Sequence, residues 1–241
     1  MKTHQRVNLW SSPRNISTAL LYAFAQRGDT CVLDEPLYAH YLLHQPTTAE
    51  HPGAEEVLAS QENDGTRVIS QLSKADYGSP VLVCKQMTHH LVGLPRDFLA
   101  RMDNVLLIRD PREILASFSK VVTGVTELDV GLPQQAALFD YLEQMDQPPP
   151  VVDARRLLLA PAATLQRLCQ RLRLEYDPAM LHWPAGPKPY DGSWAPYWYA
   201  GVHASTGFLP YRAKPIYLSP TLSDIAERCR PVYERLLHYA I

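Results

Sequence analysis

A short polar and cationic stretch stands between two segments that read as a strand and a helix. Ser11, Ser12, Pro13, Arg14 and Asn15 follow the apolar residues 7–10 and precede the helix-like residues 16–26. A turn in that position points backbone amides at one spot, because the first N–H groups of a helix lack internal partners and carry the positive end of its dipole. A phosphate or sulfate is the natural ligand of such a turn. Arg14 adds a planar donor fork, and Ser17 and Thr18 add hydroxyls beside it. The competing explanation is that Ser and Asn cap the helix while Arg14 faces water. A kinase or GTPase phosphate loop would need glycines and a lysine before Ser or Thr, and this stretch has neither.

A second cationic point follows residues 105–108, which end in Arg109, Asp110, Pro111 and Arg112. Charge there sits where an open parallel sheet binds ligands, at the carboxyl ends of its strands. Ser117 lies eight residues beyond Arg109 on the helix that follows. At about 1.5 Å per residue it stands roughly two turns up, so the two residues share a ligand only if it lies along the helix, as an extended nucleotide would. The bland alternative is a local Arg109–Asp110 ion pair with Ser117 as a tolerated helix serine.

The elements that must position these residues follow from the rest of the chain. With 241 residues, 46% hydrophobic and 20% charged, and a formal charge of -2, the composition suits one soluble α/β domain and excludes a basic nucleic-acid-binding domain or a disordered chain. Short β-rich runs at 7–10, 30–33, 81–84, 105–108 and 151–152 alternate with helix-like segments at 16–26, 64–74, 111–122 and 132–145. That alternation predicts a three-layer sandwich around a five-stranded parallel sheet. Leu165, Leu168, Cys169 and Leu172 share one helix face, as do Ile225, Cys229, Val232 and Leu236, where Pro231 should kink or split the helix. Two stretches lack periodicity: 45–53, with two prolines, and 183–220, rich in prolines, glycines and aromatics, which reads as an ordered lid. Its Trp194, Tyr197, Trp198 and Tyr199 either stack on a ligand or hold the loop on the domain. The polar residues 1–6 lack the apolar core of a secretory signal, no run is long enough to span a membrane, and four separated cysteines suit reduced thiols. A cytoplasmic location is the expectation.

Taken together, the motifs at Pro13, Arg14, Asn15, Ile16, Ser17, Thr18 and at Arg109 with Ser117 resemble the sulfotransferase family, whose fold is that of the P-loop nucleoside triphosphate hydrolases. The chain is similar to a subgroup of small bacterial sulfotransferase-like proteins, some of whose relatives carry an aminotransferase name. The resemblance extends to Asp34–Glu35–Pro36, to Lys85 with His89 and His90, and to Ser205, Thr206, Gly207 and Phe208 in the lid. It implies a donor, 3′-phosphoadenosine 5′-phosphosulfate, with no metal. The family's loop has glycine where this chain has Ile16, a β-branched residue that disfavours positive φ.

The resemblance implies that Ser12 to Thr18 hold the phosphosulfate, that Arg109 and Ser117 hold the 3′-phosphate, and that Thr206 and Gly207 join the donor site. Arg14 then stabilises the leaving phosphate and Lys85 the transferring sulfonate. Glu35, after the second strand, is the first choice of base, with His89 and His90 behind it because related enzymes place a His two residues after the Lys, where this chain has Met87. Glu35 could instead cap a helix beginning near Pro36. The partners implied are a nucleotide donor and a small-molecule acceptor, with no nucleic acid and no membrane; a homodimer is left open. The competing functions are a small-molecule kinase and a non-catalytic nucleotide-binding protein.

Overall fold

The computed structural model describes residues 4–45 and 51–241. Strands β1 (Gln5–Ser11), β2 (Thr30–Asp34), β3 (Val81–Met87), β4 (Asp103–Ile108) and β5 (Val151–Asp153) form one parallel sheet in the order β2-β3-β1-β4-β5. Each contains its predicted run. The helices are α1 (Ser17–Ala25), α2 (Tyr38–His44), α3 (Ala54–Ser60), α4 (Gly65–Lys74), α5 (Pro111–Phe118), α6 (Glu127–Val130) and α7 (Leu132–Gln144). They continue as α8 (Ala154–Leu159), α9 (Pro161–Arg171), α10 (Ala195–Trp198), α11 (Ala200–His203) and α12 (Pro220–His238).

Successive strand residues face opposite sides of the sheet, which makes three layers. Val7, Leu9, Val83, Val105 and Leu107 are buried with α1 and α9, while Trp10, Leu82, Cys84, Leu106 and Ile108 are buried with α4, α5, α7 and α12. Cys84, Cys169 and Cys229 are buried in these cores, Cys31 is partly covered, and all four are free. Among the described residues no helix is long and apolar enough to cross a membrane.

Three expectations are corrected. Of the two outcomes expected at Pro231, a kink or a split, the split does not occur, since the last helix runs unbroken from Pro220 to His238. Pro231 is exposed, so water can satisfy the carbonyl its missing N–H leaves open, while Ile225, Cys229 and Leu236 anchor the opposite face. Helix α5 stops at Phe118 rather than at residue 122, because the β-branched Val121, Val122 and Thr123 lead into Gly124 at φ 71°. The lid contains the one-turn helices α10 and α11, and Pro220 belongs to α12. Of the irregular segment 45–53, residues 46–50 lie outside the described residues.

Parallel register gathers the site. Asp34 stands beside Lys85, and Ser11 beside both Met87 and Leu107, so the segments leaving β1, β2, β3 and β4 emerge at one sheet edge. The lid closes over that edge. Its stem is fastened by the His182–Gly207 bridge and by the Trp183 N–H donating to the Thr206 carbonyl at 3.1 Å.

Candidate active site

The turn after β1 is built by two residues in the left-handed region, Arg14 at φ 63° and Ile16 at φ 58°. Ile16 thus adopts the conformation that glycine would take without strain, at a cost of about 1–2 kcal/mol. It is the N-cap of α1 and supplies no side-chain cap, and the first turn of α1 holds no acidic residue. The first amides of this helix are therefore not taken by a capping side chain, which sets aside the explanation of the motif as a simple cap. Asn15 is fully buried and donates instead to the Leu107 carbonyl at 2.8 Å, tying the turn to β4. Because the backbone is already left-handed, Ile16→Gly is expected to leave nucleotide affinity within about threefold by calorimetry, with strain relief offsetting lost burial.

Arg14 joins the two cationic motifs. Its Nε donates to the Ser117 hydroxyl at 2.9 Å, and Arg109 donates to the Arg14 carbonyl at 2.6 Å. Arg109 is paired with Glu113 at 2.8 Å, not with Asp110, which caps α5 by accepting from the Arg112 N–H. Glu113 also accepts from Tyr211 of the lid at 2.8 Å. Burial and the neighbouring Arg109 both lower the Arg14 pKa. Arg14 has no carboxylate partner among the described residues, so the pair of guanidinium groups carries an uncompensated positive charge, a setting that favours an anion.

Lys85 is the second hub. Its buried ammonium lies 2.7 Å from Asp34, 2.7 Å from Glu35, 2.5 Å from the Tyr199 hydroxyl and 3.2 Å from the Thr18 hydroxyl. Burial opposes its charge, but Asp34 and Glu35 more than offset that and hold it well above the ordinary range. Glu35 does not cap a helix: α2 starts after Leu37, and the Glu35 side chain turns inward from a backbone at φ 42°. Burial raises its carboxyl, Lys85 pulls it down and the charge of Asp34 adds to the rise, and together they leave it pushed up to about 7. One ammonium shared by two buried carboxylates leaves Glu35 incompletely neutralised. A strained backbone aiming a buried, basic carboxylate into a cleft is the signature of a functional group.

His89 and His90 sit on the 3-10 turn Thr88–Leu91 that follows β3. Burial, reinforced by His51, lowers the His89 pKa to about 3, and burial with His89 beside it holds His90 well below its usual value. His90 stacks on Tyr38 at 5.0 Å and lies 3.9 Å from Glu35.

A single cavity of about 890 Å³ connects these parts, lined by Pro13 to Thr18, Glu35, Lys85, His89, Arg109, Ser117 and Gly207. Ser12 is fully buried rather than on the lining, and Thr206 is exposed, with its neighbours Ser205 and Gly207 lining the cavity in its place.

A family model described as a sulfotransferase domain matches residues 5–235. The chain belongs to the sulfotransferase family. The sulfotransferase domain of the Synechococcus PCC 7002 olefin synthase has a similar fold, with a TM-score of 0.54 at 16% identity, covering 95% of each chain. A sulfotransferase from Alicyclobacillus acidocaldarius has a TM-score of 0.57 at 12% identity, covering 98% of this chain and 97% of that one. Two Arabidopsis thaliana proteins, branched-chain-amino-acid aminotransferase-like proteins 1 and 2, are 40% and 38% identical over 231 residues. Those residues make up 95% of this chain but 41% of each relative, so the chain spans less than half the length of the curated relatives it matches.

Sequence reasoning gave no role to Asp34, Glu113 or Tyr211, and left Tyr199 as an aromatic with two uses. Asp34 and Lys85 are 51 positions apart and meet only through strand register. Its place at a strand's carboxyl end and within the Asp34–Glu35–Pro36 stretch marked Asp34, but neither signal named its partner.

Proposed function

We propose that this sulfotransferase moves the sulfonate group of 3′-phosphoadenosine 5′-phosphosulfate to a hydroxyl or amine of a small-molecule or carbohydrate-like acceptor. The observation that carries the reading is one cavity joining the Arg14–Arg109 pair at a helix start to the buried Glu35–Lys85 pair. The uncapped first turn of α1 and the uncompensated Arg14 suit a phosphosulfate. When bound, the donor supplies the sulfonate and a leaving bisphosphate.

Arg14 and the first-turn amides hold the 5′-phosphate, where Ser17 and Thr18 orient it and negative charge accumulates as the bridging S–O bond breaks. Arg109, with Ser117 holding Arg14 from the side, serves the 3′-phosphate. Glu35 removes the acceptor's proton as the new bond to sulfur forms, so the proton ends on the carboxylate and the electron pair of the broken bond on the phosphate. Lys85 favours the charged form of Glu35 and lies close enough to Thr18 to stabilise the sulfonate. His89 is a poorer base, because a group whose conjugate acid is held to about 3 retains little pull on a proton near neutrality. Tyr38, His51, Met87, His90, Phe118 and Trp198 line the same cavity as Glu35 and offer the acceptor aromatic and uncharged polar surface.

The pH dependence follows from Glu35. The acting form is the carboxylate, so kcat should climb with pH through about 7 and level off above it, and Glu35→Gln should lack that limb. Stability runs the other way. With a folded pKa above the unfolded value, the folded state binds more protons, and the Glu35 contribution is present at low pH and lost as pH rises through about 7. The direct test is mass spectrometry of an acceptor panel incubated with the phosphosulfate donor. Acceptors gaining a sulfonate, with equimolar release of the bisphosphate, are expected; phosphorylated products formed only with ATP and magnesium would overturn the reading in favour of a kinase.

A further inference from the structure

We propose that Tyr199, carried on the lid, is a positioning residue of the reaction: its hydroxyl sets how the Lys85 ammonium is shared between Asp34 and Glu35, so that the base is made ready only when the lid is seated. The inference rests on the reading of Glu35 as the base and adds a role for the lid beyond covering the cavity.

The Lys85 ammonium has three protons and four oxygens within reach, from Asp34, Glu35, Tyr199 and, more distantly, Thr18. Tyr199 therefore decides what the two carboxylates receive. Its hydroxyl accepts from Lys85 at 2.5 Å, accepts from the Trp194 indole N–H at 3.0 Å, and donates its own proton to the second oxygen of Asp34 at 2.6 Å. The Gly192 N–H leans on that same oxygen at 3.4 Å. Asp34 is thus stabilised from the lid, which leaves Lys85 able to serve Glu35 as well. With the Tyr199 hydroxyl removed, one Lys85 proton is freed but Asp34 loses its donor from the lid; the stronger charge of Asp34 beside Glu35, and its pull on the ammonium, outweigh that freed proton and raise the proton affinity of Glu35.

The lid has little slack at this point. Tyr199 and Trp194 are 5% and 2% exposed, so neither is a loose surface aromatic. Trp194 packs edge-on against Tyr38 at 5.1 Å, and Tyr38 stacks on His90, the imidazole beside Glu35. A Cβ added at Gly192 would stand 2.1 Å from the indole ring, so the lid backbone itself closes on Trp194 and leaves the ring no room there. Lid seating and the charge state of the base are connected through one phenol. A buried tyrosine that merely held the lid down would lend stability and affect all activity equally, whereas a positioning tyrosine changes the proton affinity of Glu35.

The test compares wild type with Tyr199→Phe, which removes only the hydroxyl. Protonation of Glu35 is followed by the infrared carbonyl band of its acid form, identified by its loss in Glu35→Gln, and is therefore read without any assay of turnover. In Tyr199→Phe the midpoint of that band is expected to move up by about one pH unit, with kcat about tenfold lower at pH 6 and the deficit narrowing at pH 9. Calorimetric affinity for 3′-phosphoadenosine 5′-phosphate should stay within about twofold, since Tyr199 touches none of the groups assigned to the phosphates. A midpoint that stays in place or moves down, or a kcat deficit equal at every pH, would overturn the role of Tyr199. Full activity in Glu35→Gln would instead overturn the base assignment and leave the infrared result standing by itself. Should Tyr199→Phe fail to fold, Trp194→Phe removes one donor to the same hydroxyl and should move the band the same way by less; no movement there counts equally against the proposal.

Discussion

Glu35→Gln is expected to lower turnover by about three orders of magnitude while sparing donor binding, the range that a general base contributes. The substitution keeps the size and shape of the side chain and removes only its capacity to take a proton. It should also keep the fold, because Lys85 retains Asp34 at 2.7 Å and Tyr199 at 2.5 Å as partners, so no buried charge is stranded. Steady-state kcat together with calorimetric affinity for the bisphosphate checks this. Activity within tenfold of wild type would pass the role to His89 or His90.

Arg14→Ala and Arg109→Ala should weaken nucleotide binding by about ten- to a hundredfold each, the equivalent of about 1.5–3 kcal/mol for a charge-assisted hydrogen bond. Their patterns should differ. Arg14 faces the 5′ end and has no carboxylate of its own among the described residues, so its loss should weaken 3′-phosphoadenosine 5′-phosphate and AMP alike. Arg109 is assigned to the 3′-phosphate, so its loss should abolish the preference for the bisphosphate over AMP. Part of any common loss in Arg109→Ala comes from the turn itself, since the Arg109 guanidinium holds the Arg14 carbonyl at 2.6 Å. Isothermal titration of both nucleotides into both variants separates these effects, and unchanged affinities throughout would remove the donor site from this edge of the sheet.

The fold was legible because its signals are local. Strand runs such as residues 81–84 and turn residues such as Pro111 carry their conformation in a few neighbouring side chains, and parallel order then gathers their carboxyl ends. The loop at Arg14 and the carboxylate at Glu35 could be singled out for the same reason, each lying just after a strand, whereas the pairing of Glu35 with Lys85 could not. What escaped depends on register and on the path of the lid. Asp34 meets Lys85 only because β2 and β3 pair at that step, and Tyr199 reaches Lys85 across 114 positions of chain. Glu113, the acid four residues after Arg109 at a helix start, was within reach of local reasoning, which weighed only the adjacent Asp110 as a partner and only as the alternative to ligand binding. Ile16 also shows that a residue's preference is not its conformation, since tertiary contacts hold a β-branched side chain at φ 58°.

The reading stands most directly on nucleotide discrimination, which needs no knowledge of the acceptor. Calorimetric titration of the wild-type chain with 3′-phosphoadenosine 5′-phosphate, AMP and ATP should give the bisphosphate an affinity at least about tenfold above both others, the value of one charge-assisted phosphate contact. Equal affinity for the bisphosphate and AMP, or ATP as the tightest ligand, would contradict a two-phosphate donor site built from Arg14 and Arg109.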